Sequence, residues 1–298
     1  MPEKHPFDTS VAHIARVYDY WLGGKDNFAA DRAAAEMALR ADPERVWSVR
    51  SNRAFLSRAV RFLAAEAGIR QFLDIGTGIP TADNTHQVAQ SVAPDARIVY
   101  ADNDPMVLTH AQALLRSDPV GACAYLDVDL REPASILAEA AKLLDFSRPV
   151  AVMLIAVLHC IPDQDEPHRI VAELMDAASP GSYLALSHPA DDLGAPQRNA
   201  VRTQLSAMMR TPVTGRNREQ VTSFFDGLEL LDPGVVVVSQ WRPGNEIEAR
   251  MPAFLWGGIG RKGGRRGGRR PGPPGPCGAV SADLPHGRHP GRHYADPR

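Results

Sequence analysis

The stretch Phe72-Leu73-Asp74-Ile75-Gly76-Thr77-Gly78-Ile79-Pro80-Thr81 decides the fold. Its apolar start reads as a short buried strand, an acidic residue stands near the strand's end, and two glycines one residue apart turn the chain toward a helix. Glycine lets backbone approach a ligand with no Cβ in the way and tolerates the dihedrals of such a turn. The dinucleotide fingerprint G-x-G-x-x-G asks for a third glycine where this chain has Thr81, and it does not require an acid at position 74.

Outward from this loop, strands and helices alternate. Residues 72–75, 97–101, 123–126, 150–157 and 182–187 read as strands, separated by helical stretches near 82–93, 104–117, 133–144 and 167–178. Crossovers of this length imply a parallel sheet, and the unbroken apolar run at 150–157 reads as a central strand buried on both faces. Helices near 195–209 and 217–226 follow. The last two strands, 228–240 and 253–259, are joined through Arg242-Pro243-Gly244-Asn245 with no helix between them, which predicts an antiparallel pair.

On the amino side, residues 1–68 read as helical. Asp8 or Thr9 caps a first helix whose Val11, Ile14, Val17, Tyr18 and Trp21 share a face, and Gly23-Gly24 stops it. Asn27 caps an alanine-rich second helix to about Arg40. Asp42-Pro43 opens a third, which carries Phe55, Leu56, Ala59, Val60 and Leu63 and ends at Gly68.

Composition bounds the rest. A chain of 298 residues with 44% hydrophobic content can bury a large core. No apolar run approaches the roughly 20 residues that span a bilayer, and charges and prolines occupy residues 1–10, so a cytoplasmic protein without membrane contact is expected. Cys123, Cys160 and Cys277 are too scattered for a disulfide framework or a zinc site, and no metal is expected. The net charge of −2 hides a split: the segment from Arg261 onward carries nine Lys and Arg against Asp283 and Asp296, leaving −9 on the body. Such a body argues against nucleic acid as a partner. Residues 263–298, rich in Gly, Pro and Arg, have little apolar content to offset ordering and read as a disordered, solvated extension. His286, His289 and His293 form at most a weak metal cluster there.

In an open parallel sheet, ligands bind beyond the carboxyl ends of the strands where strand order reverses. Asp74, Asp102 and Asp129 follow three successive strands. A carboxylate at position 102 is placed to accept two ribose hydroxyls, and one at 129 to accept from an exocyclic amine. His159 and His188 follow later strands and are candidate general bases. Tyr18, Tyr20 and Trp21 offer aromatic faces to close over a cationic ligand. Gly23-Gly24-Lys25-Asp26-Asn27 reads as a turn facing that ligand.

Asp74-Ile75-Gly76-Thr77-Gly78, Tyr100-Ala101-Asp102, Asp129-Leu130-Arg131 and Val157-Leu158-His159-Cys160-Ile161-Pro162-Asp163 together resemble motifs of class I S-adenosylmethionine-dependent methyltransferases. More narrowly, Arg16 to Asn27, Gly78-Ile79-Pro80-Thr81 and Trp256 to Lys262 resemble an actinomycete-type methyltransferase family with largely unassigned substrates. The resemblance covers about residues 5–262. It implies an α/β, Rossmann-like methyltransferase fold, with a seven-stranded, mostly parallel sheet of order 3-2-1-4-5-7-6 and one antiparallel strand.

An N-terminal helical lid over residues 1–68, a cofactor-binding domain over 69–262 and the 263–298 tail complete the expected organisation. The implied cofactor is S-adenosyl-L-methionine. Gly76, Thr77 and Gly78 would face its amino acid and sugar, and Asp74 its amine. Asp102 would hold the ribose, Asn103 would flank the adenine, and Asp129 with the Leu130 amide would read the adenine edge. Tyr18, Gly23, Gly24, Lys25 and Asn27 would complete the site from the helical side. The expected reaction is transfer of a methyl group to a small-molecule acceptor. The competing readings are a non-catalytic cofactor sensor and an NAD(P)-dependent oxidoreductase, the latter disfavoured by Asp74 and the missing third glycine.

Overall fold

The first strand, β1 (Gln71–Ile75), is buried at every position, because its two faces meet different apolar layers. The computed structural model describes residues 8–107, 109, 121–194 and 197–264. Around β1 lie β2 (Arg97–Asp102), β3 (Ala122–Asp127), β4 (Ala151–Ile155) and β5 (Tyr183–Pro189), all parallel. β6 (Glu229–Leu230), β7 (Val236–Val237) and β8 (Leu255–Arg261) complete the sheet, in the order β3-β2-β1-β4-β5-β8-β6, with β7 paired to β8. β8 alone runs antiparallel to its neighbours.

Side chains alternate across the strands. Leu73, Ile75, Val152, Leu154, Leu184 and Leu186 pack on one face with residues of α5 (Pro133–Ala140), α6 (Pro167–Ala177) and α8 (Arg218–Ser223). Phe72, Ala151, Met153, Tyr183 and Ala185 pack on the other with α3 (Arg45–Ala65) and α4 (Thr85–Val92). A third apolar cluster joins α1 (Ile14–Leu22) and α2 (Ala29–Ala41) to α7 (Gln197–Met209). Residues through Gly264 form one compact unit, so the amino-terminal helices belong to the same body as the sheet.

The expected sheet order is the observed one, with β8 in the inserted antiparallel position. The single strand expected at 228–240 is instead two short strands, because Asp232-Pro233-Gly234 turns the chain between them; Gly234 has φ +84° and its N–H donates to Leu231 O. A short helix, α9 (Glu246–Arg250), lies in the connection to β8 where none was expected, capped by Asn245 accepting from the Glu248 N–H at 2.9 Å. The run at 150–157 yields a strand only to Ile155, since Ala156 takes φ +52°.

The helix starts also shift. α1 begins at Ile14, and Asp8 instead accepts from the Ser10 N–H and hydroxyl. α2 begins at Ala29, with the Phe28 N–H donating to Asp31 Oδ2. α3 begins at Arg45, after a turn at 43–44. The helix expected at 104–117 is described at 105–107 and 109 only, and the tail expected to be disordered, with its histidines, lies past Gly264 outside the described residues. Among the described residues no helix is long and apolar enough to cross a membrane.

Candidate functional site

Strand order reverses between β1 and β4, and a cavity of about 390 Å³ opens above the carboxyl ends of the strands there. Its floor is the loop after β1 and the ends of β2 and β3. Its walls are residues 155–157 and 159–161 at and after the end of β4, one face of α1 and α3, and residues 210–212 after α7. Asp74, Gly76, Thr77, Gly78, Asp102, Asn103, Asp129, Leu130, Tyr18 and His159 all border it.

The glycine loop is shaped by contacts that exclude side chains. Gly76 has φ +73°, and a Cβ there would lie 2.1 Å from the Val157 side chain. The Gly78 N–H donates to Asp102 Oδ2 at 2.8 Å, and the Asp104 N–H donates to Asp102 Oδ1 at 2.9 Å. Asp102 therefore ties the β1 loop to the β2 loop while facing the cavity. Burial raises its carboxyl, and these two N–H donors partly offset the rise.

Asp74 is buried deeper, and desolvation pushes its carboxyl up to about 6 although Thr85 Oγ1 donates to Oδ2 at 2.6 Å. Asp129 is held from two sides, accepting from Asn103 Nδ2 at 2.9 Å and from the Arg131 N–H at 2.8 Å. The guanidinium of Arg131 also reaches Asp165 and the Cys160 carbonyl, which links the β3 end to the β4 loop.

On the helical side, the Tyr18 hydroxyl donates to Val49 O and accepts from Asn52 Nδ2 at 3.0 Å. Asn52 Oδ1 accepts from Ser187 Oγ at 2.6 Å, so α1, α3 and β5 share one buried polar chain. Gly23, Gly24, Lys25 and Asn27 are not among the residues bordering the cavity. They form the end of α1: Gly23 takes φ +84°, and Asp19 Oδ2 accepts from the Asp26 N–H and from Asn27 Nδ2. A Cβ at Gly24 would lie 1.9 Å from Asp19 Oδ1, so this turn answers Asp19, which itself borders the cavity.

The two histidines separate. His188 is fully buried and does not border the cavity; its Nδ1 lies 2.9 Å from Pro189 O and its Nε2 2.7 Å from Arg216 Nη1. Because a guanidinium only donates, His188 Nε2 accepts and the ring is neutral with its proton on Nδ1. Burial first, and then the neighbouring His159, hold it well below the usual histidine range. His159 borders the cavity, has a buried Nδ1 without a hydrogen-bond partner, and is brought down to about 4 by burial and by the charges of Arg216 and Arg202.

Sequence reasoning missed Arg216, 1% exposed, whose guanidinium donates to Leu158 O, Ile161 O and Asp163 Oδ1 and so pins the segment that carries His159. An isolated arginine beyond the motifs carries no sequence signal. Asn52 did carry one, a polar residue on the apolar stripe of Val49, Leu56 and Ala59. His13 was also missed; its Nδ1 stands 2.9 Å from Asp104 Oδ2, a close polar contact without hydrogen-bond alignment.

A family model described as S-adenosyl methyltransferase matches residues 1–263. The fold is similar to the crystal structure of a DUF574 family protein from Streptomyces avermitilis, at 45% identity and TM-score 0.82, covering 86% of this chain and 99% of that one. It is also similar to a Thermobifida fusca protein whose methyltransferase assignment is itself provisional, at 44% identity and TM-score 0.80, covering 86% of this chain and 97% of that one.

Proposed function

From the premise that the chain belongs to the S-adenosyl methyltransferase family, we propose that it methylates a small-molecule acceptor held in the cavity above β1 and β4. It is a methyltransferase with S-adenosylmethionine as cofactor. The cofactor supplies a methyl group on a cationic sulfur, already activated for displacement.

The residues present fit that group. Gly76, where Val157 leaves no room for a Cβ, keeps the floor to bare backbone. Asp74 is a buried carboxylate with one oxygen bonded to Thr85 and no cation within ion-pair distance among the described residues, which an ammonium group would complement. Asp102 keeps free lone pairs for ribose hydroxyls beside its two backbone bonds. Asn103, Asp129 and the Leu130 amide would meet the adenine.

The chain's remaining task is to orient and desolvate the acceptor, aligning its nucleophilic atom with the bond that breaks. Tyr18, fixed through Asn52, and the walls after β4 close the space in which this happens. His159, which borders the cavity where His188 does not, is the histidine we assign to contact the acceptor. A base that binds its own proton only near pH 4 is weak, so His159 serves chiefly to accept or donate one hydrogen bond.

The observation that carries this reading is the convergence of Asp74, Gly76, Gly78, Asp102 and Asp129 on one cavity whose volume lies in the range of small-molecule sites. Isothermal titration tests it: S-adenosylmethionine and S-adenosylhomocysteine should bind, and Asp102→Ala should weaken both at least tenfold while the variant stays folded. Wild-type affinity in the folded variant would remove the proposed ribose contact.

A further inference from the structure

We propose that the methyl acceptor is a small molecule bearing a carboxylate, and that Arg210 at the cavity mouth is the residue that recognises it. This rests on the methyltransferase reading above and goes beyond it in naming the acceptor's chemical class. Charged side chains reach the cavity from several elements, Asp19 from α1 and Arg53 from α3 among them. Its floor carries Asp74, Asp102 and Asp129, which fit a cationic cofactor, whereas the wall farther along, from His159 to residues 210–212, presents Arg210 and no carboxylate.

Three arginines border the cavity, and two are engaged. Arg53 donates to Ala82 O and Asp83 O, and Arg131 to Asp129, Asp165 and Cys160 O. Arg210 is exposed and has no hydrogen bond or ion pair among the described residues. The carboxylate that feels its charge is Asp8, an exposed residue whose Oδ1 is already bound by Ser10.

Arg210 also stands at φ +51°, the left-handed conformation that stops α7 directly after Met209 and turns the chain into the segment 210–212 that borders the cavity. The neighbouring strand end repeats the feature in Ala156, at φ +52° and likewise on the cavity wall. A free guanidinium at a cavity mouth matches a carboxylate through two parallel N–H donors.

The remaining chemistry agrees. His159 is neutral and only weakly basic, so nothing on this wall would strip a proton from a neutral hydroxyl. An acceptor oxygen that is ionised before it binds needs no base: it supplies the electron pair of the new O–CH3 bond, the sulfur keeps the pair of the bond that breaks, and no proton moves. Cation and anion neutralise one another in that step, which walls such as Ile14, Leu22, Leu56, Val157 and Pro212 favour by keeping water away.

The test uses the full chain saturated with S-adenosylhomocysteine and titrated with matched acid and amide probes: 4-hydroxybenzoate with 4-hydroxybenzamide, and phenylacetate with phenylacetamide. The acids should bind at least tenfold more tightly than their amides. Arg210→Ala should erase that difference and leave the dissociation constant for S-adenosylmethionine within twofold of wild type. Equal binding of acids and amides, or binding of neither, overturns the proposal. So does a tenfold loss of S-adenosylmethionine affinity in Arg210→Ala, because Arg210 would then hold the cofactor's own carboxylate. Failure of the wild-type chain to bind S-adenosylmethionine is the separate result that would remove the methyltransferase reading itself.

Discussion

Asp74 carries a burial cost in the free protein that a cationic ligand relieves. With its carboxyl raised to about 6 by desolvation, the ionised form is the disfavoured one in the folded chain. The sign follows from linkage: Asp74 contributes stability below its unfolded value near 4 and loses it as pH rises through about 6. An ammonium beside the carboxylate reverses that preference. S-adenosylmethionine affinity should therefore be level above about pH 6.5 and fall below pH 6, approaching tenfold per pH unit, in calorimetric titrations between pH 5 and 8. Asp74→Asn keeps the Thr85 bond but not the charge; it should bind the cofactor at least tenfold more weakly, lose that pH break, and melt no lower than wild type at pH 7.5. Arg216 is the opposite kind of residue, buried for support. Arg216→Lys cannot reach Leu158 O, Ile161 O, Asp163 and His188 together, so at least one of these acceptors loses its donor. A loss of about 2 kcal/mol in urea unfolding is expected, with cofactor affinity less affected than stability.

Among the elements, the β1 loop is the least forgiving. Gly76→Ala must hold φ near +73° and push a methyl group into Val157, which should cost about 2–4 kcal/mol and misplace the cofactor floor; thermal melting and cofactor titration of one sample read both. This loop, and the acids at the ends of β1, β2 and β3, were legible in the sequence because strand-end chemistry depends on local order alone. The histidines were not separable that way. His159 and His188 both follow strands, but only the packing of Arg216 and Phe224 decides that His188 turns into the interior. Gly23-Gly24 reads equally as a ligand turn or a helix end, and the Asp19 carboxylate that fills the turn lies one helical turn back. The run at 228–240 was read through its own stop signal, since Asp232-Pro233-Gly234 marks a turn whatever valines flank it. α1 touches the sheet side at the site through His13 and Asp104. Removing that contact in His13→Ala should speed cofactor dissociation by a few fold in stopped-flow measurements while leaving the melting temperature within about two degrees.

At the scale of the whole molecule, the sheet depends on its last strand. β8 lies between β5 and β6 and also holds β7, so four strands meet in residues supplied at the end of the compact unit. A chain ended at Ala253 should keep the β1–β5 helices and strands yet expose the edge of β5, and it should aggregate in size-exclusion chromatography, whereas a chain ended at Gly264 should elute as a folded species with wild-type cofactor affinity. Order of synthesis follows from the same placement. During translation the cofactor loop, its acids and both histidines emerge well before β8, so a nascent chain holds nearly all of the site's chemistry on an unfinished sheet. Synthesis of β8, more than any early folding event, is what commits this protein to activity, and termination before that strand should yield a chaperone client instead of a weakened enzyme.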